Sequence, residues 1–148
     1  MNREVYPKVK LIISQSMKEA KSFDDVKVRP EHIVLSLLID NDNQCVDILK
    51  NQGIDTVDLY DRISDFLRND ISSPRLRDGN RKQLPFSDES RKMVKHLDKE
   101  CEKYHDTMID TQHIMLSILL IDTPTTEILS KLGVNYTVNR NPSPEEIE

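Results

Sequence analysis

Few residues of this chain have side chains that could do chemistry, and the pair most suggestive of catalysis is Glu31 beside His32, with Gln112 beside His113 at a matching position. Successive residues of a helix point about 100° apart, so Glu31 and His32 cannot both reach one substrate atom, as general acid–base catalysis requires. The motif H-E-x-x-H, which places two histidines on one helix face, is absent. We therefore expect no catalytic residue. We expect both histidines in the first turn of a buried helix, bonded to nearby backbone.

A metal site would need Cys45, Cys101 and several of the four histidines to converge. No C-x-x-C or other close ligand spacing supports that arrangement, and no orienting group supports a nucleophilic Cys–His pair. We interpret Cys101 as a small core residue and expect no metal. The chain has only three glycines, and neither G-x-G-x-x-G nor G-x-x-x-x-G-K-[ST] can be written from them. We therefore expect no nucleotide bound through a P-loop, and no other cofactor.

Composition narrows the function classes further. The 148 residues include 21 basic and 26 acidic side chains, giving a net charge of −5, whereas general nucleic-acid binders usually carry a basic excess. No apolar run approaches the ~18 residues of a membrane span, and the first ten residues lack the apolar core of a signal peptide. Two cysteines are too few for a disulfide framework. These features predict a cytoplasmic protein without nucleic-acid or membrane partners.

Helical periodicity dominates the elements that must position these residues, and strand alternation is almost absent. We expect Gly53 to end the third helix in the left-handed conformation and Asp55 to cap the fourth. The second helix is apolar around most of its circumference, which is typical of a buried helix. The first four predicted helices cover residues 4–22, 30–40, 44–52 and a segment following Asp55.

The pattern then repeats at an offset of 81 residues. Residues 5–39 and 86–120 align without a gap, and eight of the 35 pairs are identical, including His32/His113 and Asp25/Asp106. Matched helices, turns and a buried stripe in the same order indicate a tandem duplication of a four-helix unit. The second copy lacks a clear fourth helix. We predict the divisions as repeat 1 (1–69), an exposed linker (70–85), repeat 2 (86–134) and a tail or linker (135–148).

The two copies carry a specific motif at the start of their second helix. It is Arg-Pro-Glu-His-Ile-Val-Leu-Ser-Leu-Leu over residues 29–38 and Asp-Thr-Gln-His-Ile-Met-Leu-Ser-Ile-Leu over residues 110–119. Together with Phe86-Ser87 before the fifth helix, it resembles the Clp N-terminal domain, most closely the ClpC type, over about residues 4–134. Arg29 and Asp110 stand where that family has glycine. The resemblance implies an all-α fold of two pseudo-symmetric four-helix Clp repeats packed as one domain, the last helix of the second repeat being weak or absent.

The resemblance also implies a function. The domain would receive adaptor proteins and unfolded or tagged proteins for a Clp-type AAA+ unfoldase that works with a protease in protein quality control. The stretch itself would not be an enzyme, whereas the full-length protein, with its AAA+ ring, would be an ATPase. The alternative is a stand-alone Clp-repeat scaffold or adaptor without an ATPase. A reading frame that continues into a Walker sequence would distinguish the first hypothesis from the second.

The resemblance implies one kind of binding site. In ClpC-type domains each repeat can hold a phosphoarginine. The acidic residue before the histidine binds the guanidinium, and a threonine after the aromatic residue binds the phosphate. Here the candidates are Glu31, Ser87 and Gln112. Gln112 is neutral and Val5-Tyr6 replaces the aromatic–threonine pair of the first repeat, so we expect at most one weak site, at Glu31.

Overall fold

The computed structural model describes residues 4–70, 84–103 and 105–134. These residues form seven α-helices, and their extended segments meet only in isolated β-bridges, which confirms the all-α prediction. None of the described helices is long and apolar enough to cross a membrane. Most of the predicted linker (71–83) and the whole predicted tail (135–148) lie outside the described residues. The helices are α1 (Pro7–Ser22), α2 (Pro30–Asp40), α3 (Gln44–Asn51), α4 (Thr56–Asn69), α5 (Asp88–Lys103), α6 (Thr111–Leu119) and α7 (Pro124–Lys131).

Helix α1 begins later than the predicted residue 4. Pro7 occupies its first turn, where a missing N–H costs nothing. The residues before it are extended because Val5 pairs with Ile109, and the Tyr6 N–H donates to the Ile109 carbonyl at 2.9 Å. A contact with the second repeat therefore sets the start of the first helix.

The two predicted helix-terminal residues, Gly53 after α3 and Asp55 before α4, are confirmed. Gly53 and Gly133 follow α3 and α7 with φ of +79° and +81°, the left-handed region that glycine enters without strain. The Asp55 carboxylate caps α4 by accepting hydrogen bonds from the Val57 and Asp58 N–H groups.

Helices α2 and α6 form the centre of the core, as the sequence predicts. In α2 every residue from 30 to 38 is buried, and in α6 the only residues not fully buried are Gln112 and Leu119. Leu35, Leu38 and Leu116 are all below 9% exposed. The alignment of Leu119 with Leu38 predicts that Leu119 is equally buried, and this prediction is wrong, because Leu119 is only half-buried. Helix α6 ends at Leu119, whereas α2 continues past the equivalent Leu38 and α4 packs against it.

The two repeats interlock through the same contact made twice. Val5 pairs with Ile109, and Val28 pairs with Phe86. At the offset of 81, Val5 corresponds to Phe86 and Val28 to Ile109, so each bridge joins the start of one repeat to the segment before the buried helix of the other. The helices also pack across the two repeats: α3 of the first repeat packs on α6 of the second, and α7 of the second repeat packs on α2 of the first. Leu84, at the end of the predicted exposed linker, is buried in the hydrophobic core (3% exposed).

Candidate functional site at the repeat interface

His32 is held on both sides of its ring. Its Nδ1 accepts the Arg29 N–H at 2.9 Å, so the neutral ring carries its proton on Nε2, which lies 2.8 Å from the Asp25 carboxylate. Both side chains are fully buried, and the Phe23 ring packs against the imidazole with centroids 6.0 Å apart. The predicted bond to nearby backbone is present, and the imidazole has no ring nitrogen left for a substrate.

His113 repeats this arrangement in the second repeat. Its Nδ1 accepts the Asp110 N–H at 2.8 Å, and its Nε2 lies 2.7 Å from the Asp106 carboxylate. The aspartate partners were missed by reasoning from the sequence, although Asp25 and Asp106 form one of its eight identical pairs. An acid retained seven residues before each histidine was the available signal.

Glu31 points into the protein rather than toward solvent, with only 1% of its surface exposed. Its Oε2 accepts hydrogen bonds from the hydroxyl and, at 3.3 Å, the N–H of Thr125. Thr125 is the second residue of α7, so the carboxylate also lies at a helix N-terminus, where negative charge is stabilised. Glu31 therefore joins the buried helix of the first repeat to the last described helix of the second.

The other oxygen of Glu31 faces the chain's own guanidinium. Arg29 Nε lies 3.4 Å from Glu31 Oε1, and Arg29 Nη2 lies 2.9 Å from the Asp70 carboxylate. The guanidinium carbon is 5.4 Å from the centre of the Phe66 ring, in cation–π range. The residue that departs from the family glycine thus supplies an internal ligand for the predicted guanidinium-binding carboxylate.

Ser87 belongs to the second repeat, but its hydrogen bonds place it beside the first repeat and not beside the start of α6. Its hydroxyl accepts the Ser90 N–H at 3.1 Å and caps the first turn of α5. Its N–H donates to the carbonyl of Val28, and the Ser90 hydroxyl donates to the same carbonyl at 2.8 Å. Because Val28 precedes α2, the structure brings Ser87 to the helix that carries Glu31. The sequence grouped Ser87 with Gln112 instead, because both belong to the second repeat.

Gln112 is half-buried at the position equivalent to Glu31. Its Oε1 is shielded from solvent and has no hydrogen-bond partner among the described residues. The extended segment nearest to its helix start is Val5-Tyr6 of the first repeat. The bridges therefore place Ser87 beside the segment that precedes α2, which carries Glu31, and Tyr6 beside the segment that precedes α6, which carries Gln112.

The bridges and the histidine–aspartate pairs occur twice at the offset of 81, and the left-handed glycines Gly53 and Gly133 occur 80 residues apart. This duplication agrees with comparisons of the whole chain. The profile of the Clp repeat (R) N-terminal domain matches residues 5–132. The chain belongs to the Clp repeat N-terminal domain family. One curated relative is the chaperone protein ClpB of Mycobacterium leprae, which is 23% identical over 137 residues. That match covers 90% of this chain and 15% of ClpB, so the chain spans about one seventh of that relative.

Solved structures share the fold. The Hsp104 N-terminal domain of Candida albicans has a TM-score of 0.73 at 15% identity, covering 90% of this chain and 85% of that one. A ClpV N-domain in complex with a VipB peptide has a TM-score of 0.67 at 14% identity, covering 90% and 81%. At these identities the likeness establishes the interlocked helical fold of this Clp repeat domain.

Proposed function

We propose that this Clp repeat domain is a non-catalytic receiving module of a Clp-type AAA+ unfoldase. It binds unfolded or tagged proteins, or the adaptors that carry them, and delivers them to an ATPase ring. The observation that carries the proposal is the Clp repeat profile over residues 5–132, matched by an interlocked pair of repeats.

Two further observations support a binding role. Glu31 and His32, the pair most suggestive of catalysis in the sequence, do not act on a common atom. His32 bonds to Asp25 and Arg29, whereas Glu31 bonds to Thr125. Among the similar structures, a ClpV N-domain was solved with a VipB peptide, so the same fold can hold a protein segment in a relative.

The finer parts of the proposal rest on the sequence resemblance. We infer a ClpC-type parent that works with a protease in the cytoplasm. The motif of residues 29–38 and its second copy support that subtype.

Phosphoarginine recognition belongs to the same proposal, with Glu31 binding the guanidinium and Ser87 the phosphate. The bridge between Val28 and Phe86 supports this combination, since it brings the Ser87 segment beside α2. A guanidinium from a partner would have to displace Arg29 from Glu31 Oε1, so we expect weak binding. Gln112, which offers no charge, would contribute little.

The test begins with the reading frame beyond codon 148. If it encodes a Walker sequence, the full-length protein and a version lacking residues 1–134 are compared for ATP hydrolysis and for unfolding of a fluorescent model substrate. We expect the shortened protein to hydrolyse ATP but to lose unfolding of substrates that need the module. Equal unfolding by both proteins would contradict the proposal, and a frame that stops near codon 148 would favour the stand-alone scaffold instead.

A further inference from the structure

A surface cavity of about 490 Å³ lies where the C-terminal ends of α2 and α3 meet the first turn of α4. Its walls are more apolar than polar, and they include Ile39 and Val57, which are 46% and 69% exposed. Exposed aliphatic side chains grouped around one concavity are typical of a binding surface. The full lining is Leu38, Ile39, Asn41, Lys50, Thr56, Val57 and Tyr60.

A second cavity, of about 460 Å³, shares Tyr60 as a wall. Phe23 faces it as a second aromatic ring, and Glu19 and Asp24 supply two carboxylates. Arg68 also lines this cavity, but its guanidinium is bonded to Asp65 at 3.3 Å. Two aromatic rings beside two carboxylates form a suitable environment for a Lys or Arg side chain.

The surrounding charge favours a basic partner. Residues 40–69 contain seven aspartates against three cations (Lys50, Arg62 and Arg68), a net charge of −4, while the whole chain carries −5. Three of these aspartates form ion pairs, Asp40 with Lys8, Asp58 with Arg62 and Asp65 with Arg68, which leaves four other aspartates against Lys50. A negative surface around an apolar cavity attracts cationic segments and disfavours acidic ones.

We propose that the two cavities together bind an extended protein segment that carries one bulky aliphatic residue and, two to three residues away, a Lys or Arg. The aliphatic side chain occupies the cavity at Val57, and the cation lies between Phe23 and Tyr60 with Asp24 and Glu19. From α4, Thr56, Val57 and Tyr60 line the first cavity, and Tyr60 and Arg68 line the second. At 1.5 Å per helical residue their centres lie about 9 Å apart along α4, which an extended chain covers with about three residues.

Lys50 determines which way round the bound segment lies across the two cavities. It lines the apolar cavity but not the cavity of Glu19 and Asp24, so it repels a cation placed in the apolar cavity. The segment therefore lies with its basic residue toward the end of α1. This inference deepens the proposed role in receiving protein segments and rests on it.

Binding is measured by NMR, with the isotope-labelled chain titrated with a synthetic peptide that contains Leu-Ser-Arg within a Gly-Ser chain. Comparison peptides replace the Arg with Glu or the Leu with Gly. We expect amide shifts confined to the linings of the two cavities and weaker binding at high salt. The Leu-Ser-Arg peptide should bind more tightly than either comparison peptide.

Substitutions in the chain test which cavity binds which side chain of the peptide. Val57→Ser should weaken the Leu-Ser-Arg peptide about tenfold, as expected for lost aliphatic burial. Leu11→Ser is the matched control, because Leu11 is 63% exposed on α1 and lines neither cavity, and it should bind like the parent. Asp24→Asn should weaken the Arg peptide about threefold, the size of an exposed ion pair. Asn tolerates the φ of +57° at this position, so the backbone is retained.

Three outcomes would overturn the inference: shifts that map outside both cavities, equal binding of the Glu peptide, or an unchanged affinity of Val57→Ser. Amide shifts at the two cavities that change with protein concentration when no peptide is present would also overturn the inference. In that case the occupant would be a second copy of the chain. Each of these leaves the proposed function open to its own test with the full-length protein, so the two failures are distinguishable.

Discussion

At the scale of single residues, Glu31 is the side chain on which the site depends most. Its carboxylate accepts two hydrogen bonds from Thr125 and faces Arg29, and it is almost fully buried. Glu31→Ala should lower the free energy of unfolding by about 2–3 kcal/mol, because Arg29 and Thr125 lose a charged partner. Gln112→Ala removes the equivalent side chain, whose Oε1 has no partner among the described residues, and should cost less than about 1 kcal/mol. Urea denaturation measures both, and equal losses would contradict this assignment.

A second prediction at this scale concerns Arg29. If phosphoarginine binds, calorimetry should show at most one weak site, abolished by Glu31→Ala and unaffected by Gln112→Ala. Arg29→Gly should tighten that site, because it removes the internal guanidinium that lies 3.4 Å from Glu31. Glycine is tolerated at a helix N-cap, so the helix start should survive the change. Two sites of similar affinity in the parent, or weaker binding after Arg29→Gly, would refute the arrangement.

At the scale of elements, Asp40 connects three helices. It accepts hydrogen bonds from Lys8 of α1 and from Asn43, the cap of α3, at 3.0 and 2.9 Å. Burial raises the pKa of Asp40, but these hydrogen bonds outweigh burial and hold the pKa below its ordinary value of 3.8. A lowered folded-state pKa means that Asp40 contributes stability above pH about 4 and loses it as the pH falls through the folded pKa.

Asp40→Asn should therefore destabilise the protein at neutral pH by about 1 kcal/mol, and the difference from the parent should shrink toward pH 3. Asp65→Asn is the control, since the Asp65 side chain is 69% exposed and its ion pair with Arg68 should contribute little. Urea melts at pH 7 and pH 3 test this. A difference that stays constant with pH would show that the carboxylate charge is not what joins the helices.

Helices α2 and α6 should differ in their tolerance of truncation, although their sequences are equivalent. Leu38 is 8% exposed and Leu119 is half-buried at the end of α6. Leu38→Ala should cost about 2–5 kcal/mol, as for a core leucine, and Leu119→Ala clearly less. Thermal melts with the order reversed would mean that the burial of the two positions is misjudged.

At the scale of the whole molecule, local signals predicted most of the helices and the duplication. Periodicity located the seven described helices, and Gly53 and Asp55 marked their ends for a local stereochemical reason. What could not be predicted depends on contacts between distant residues. Thr125 lies 94 residues from Glu31, and no pattern in the sequence connects them. The position of Ser87 beside the first repeat likewise depends on the β-bridge between Val28 and Phe86, which the sequence did not predict.

If this domain receives protein segments, it should bind an unfolded protein directly. Fluorescein-labelled casein is titrated with the chain and followed by fluorescence anisotropy, with a stably folded protein carrying the same label as the control. We expect saturable binding of casein and no binding of the folded protein. Absence of casein binding, or equal binding of both, would contradict the assignment of this Clp repeat domain as a receiver of protein segments.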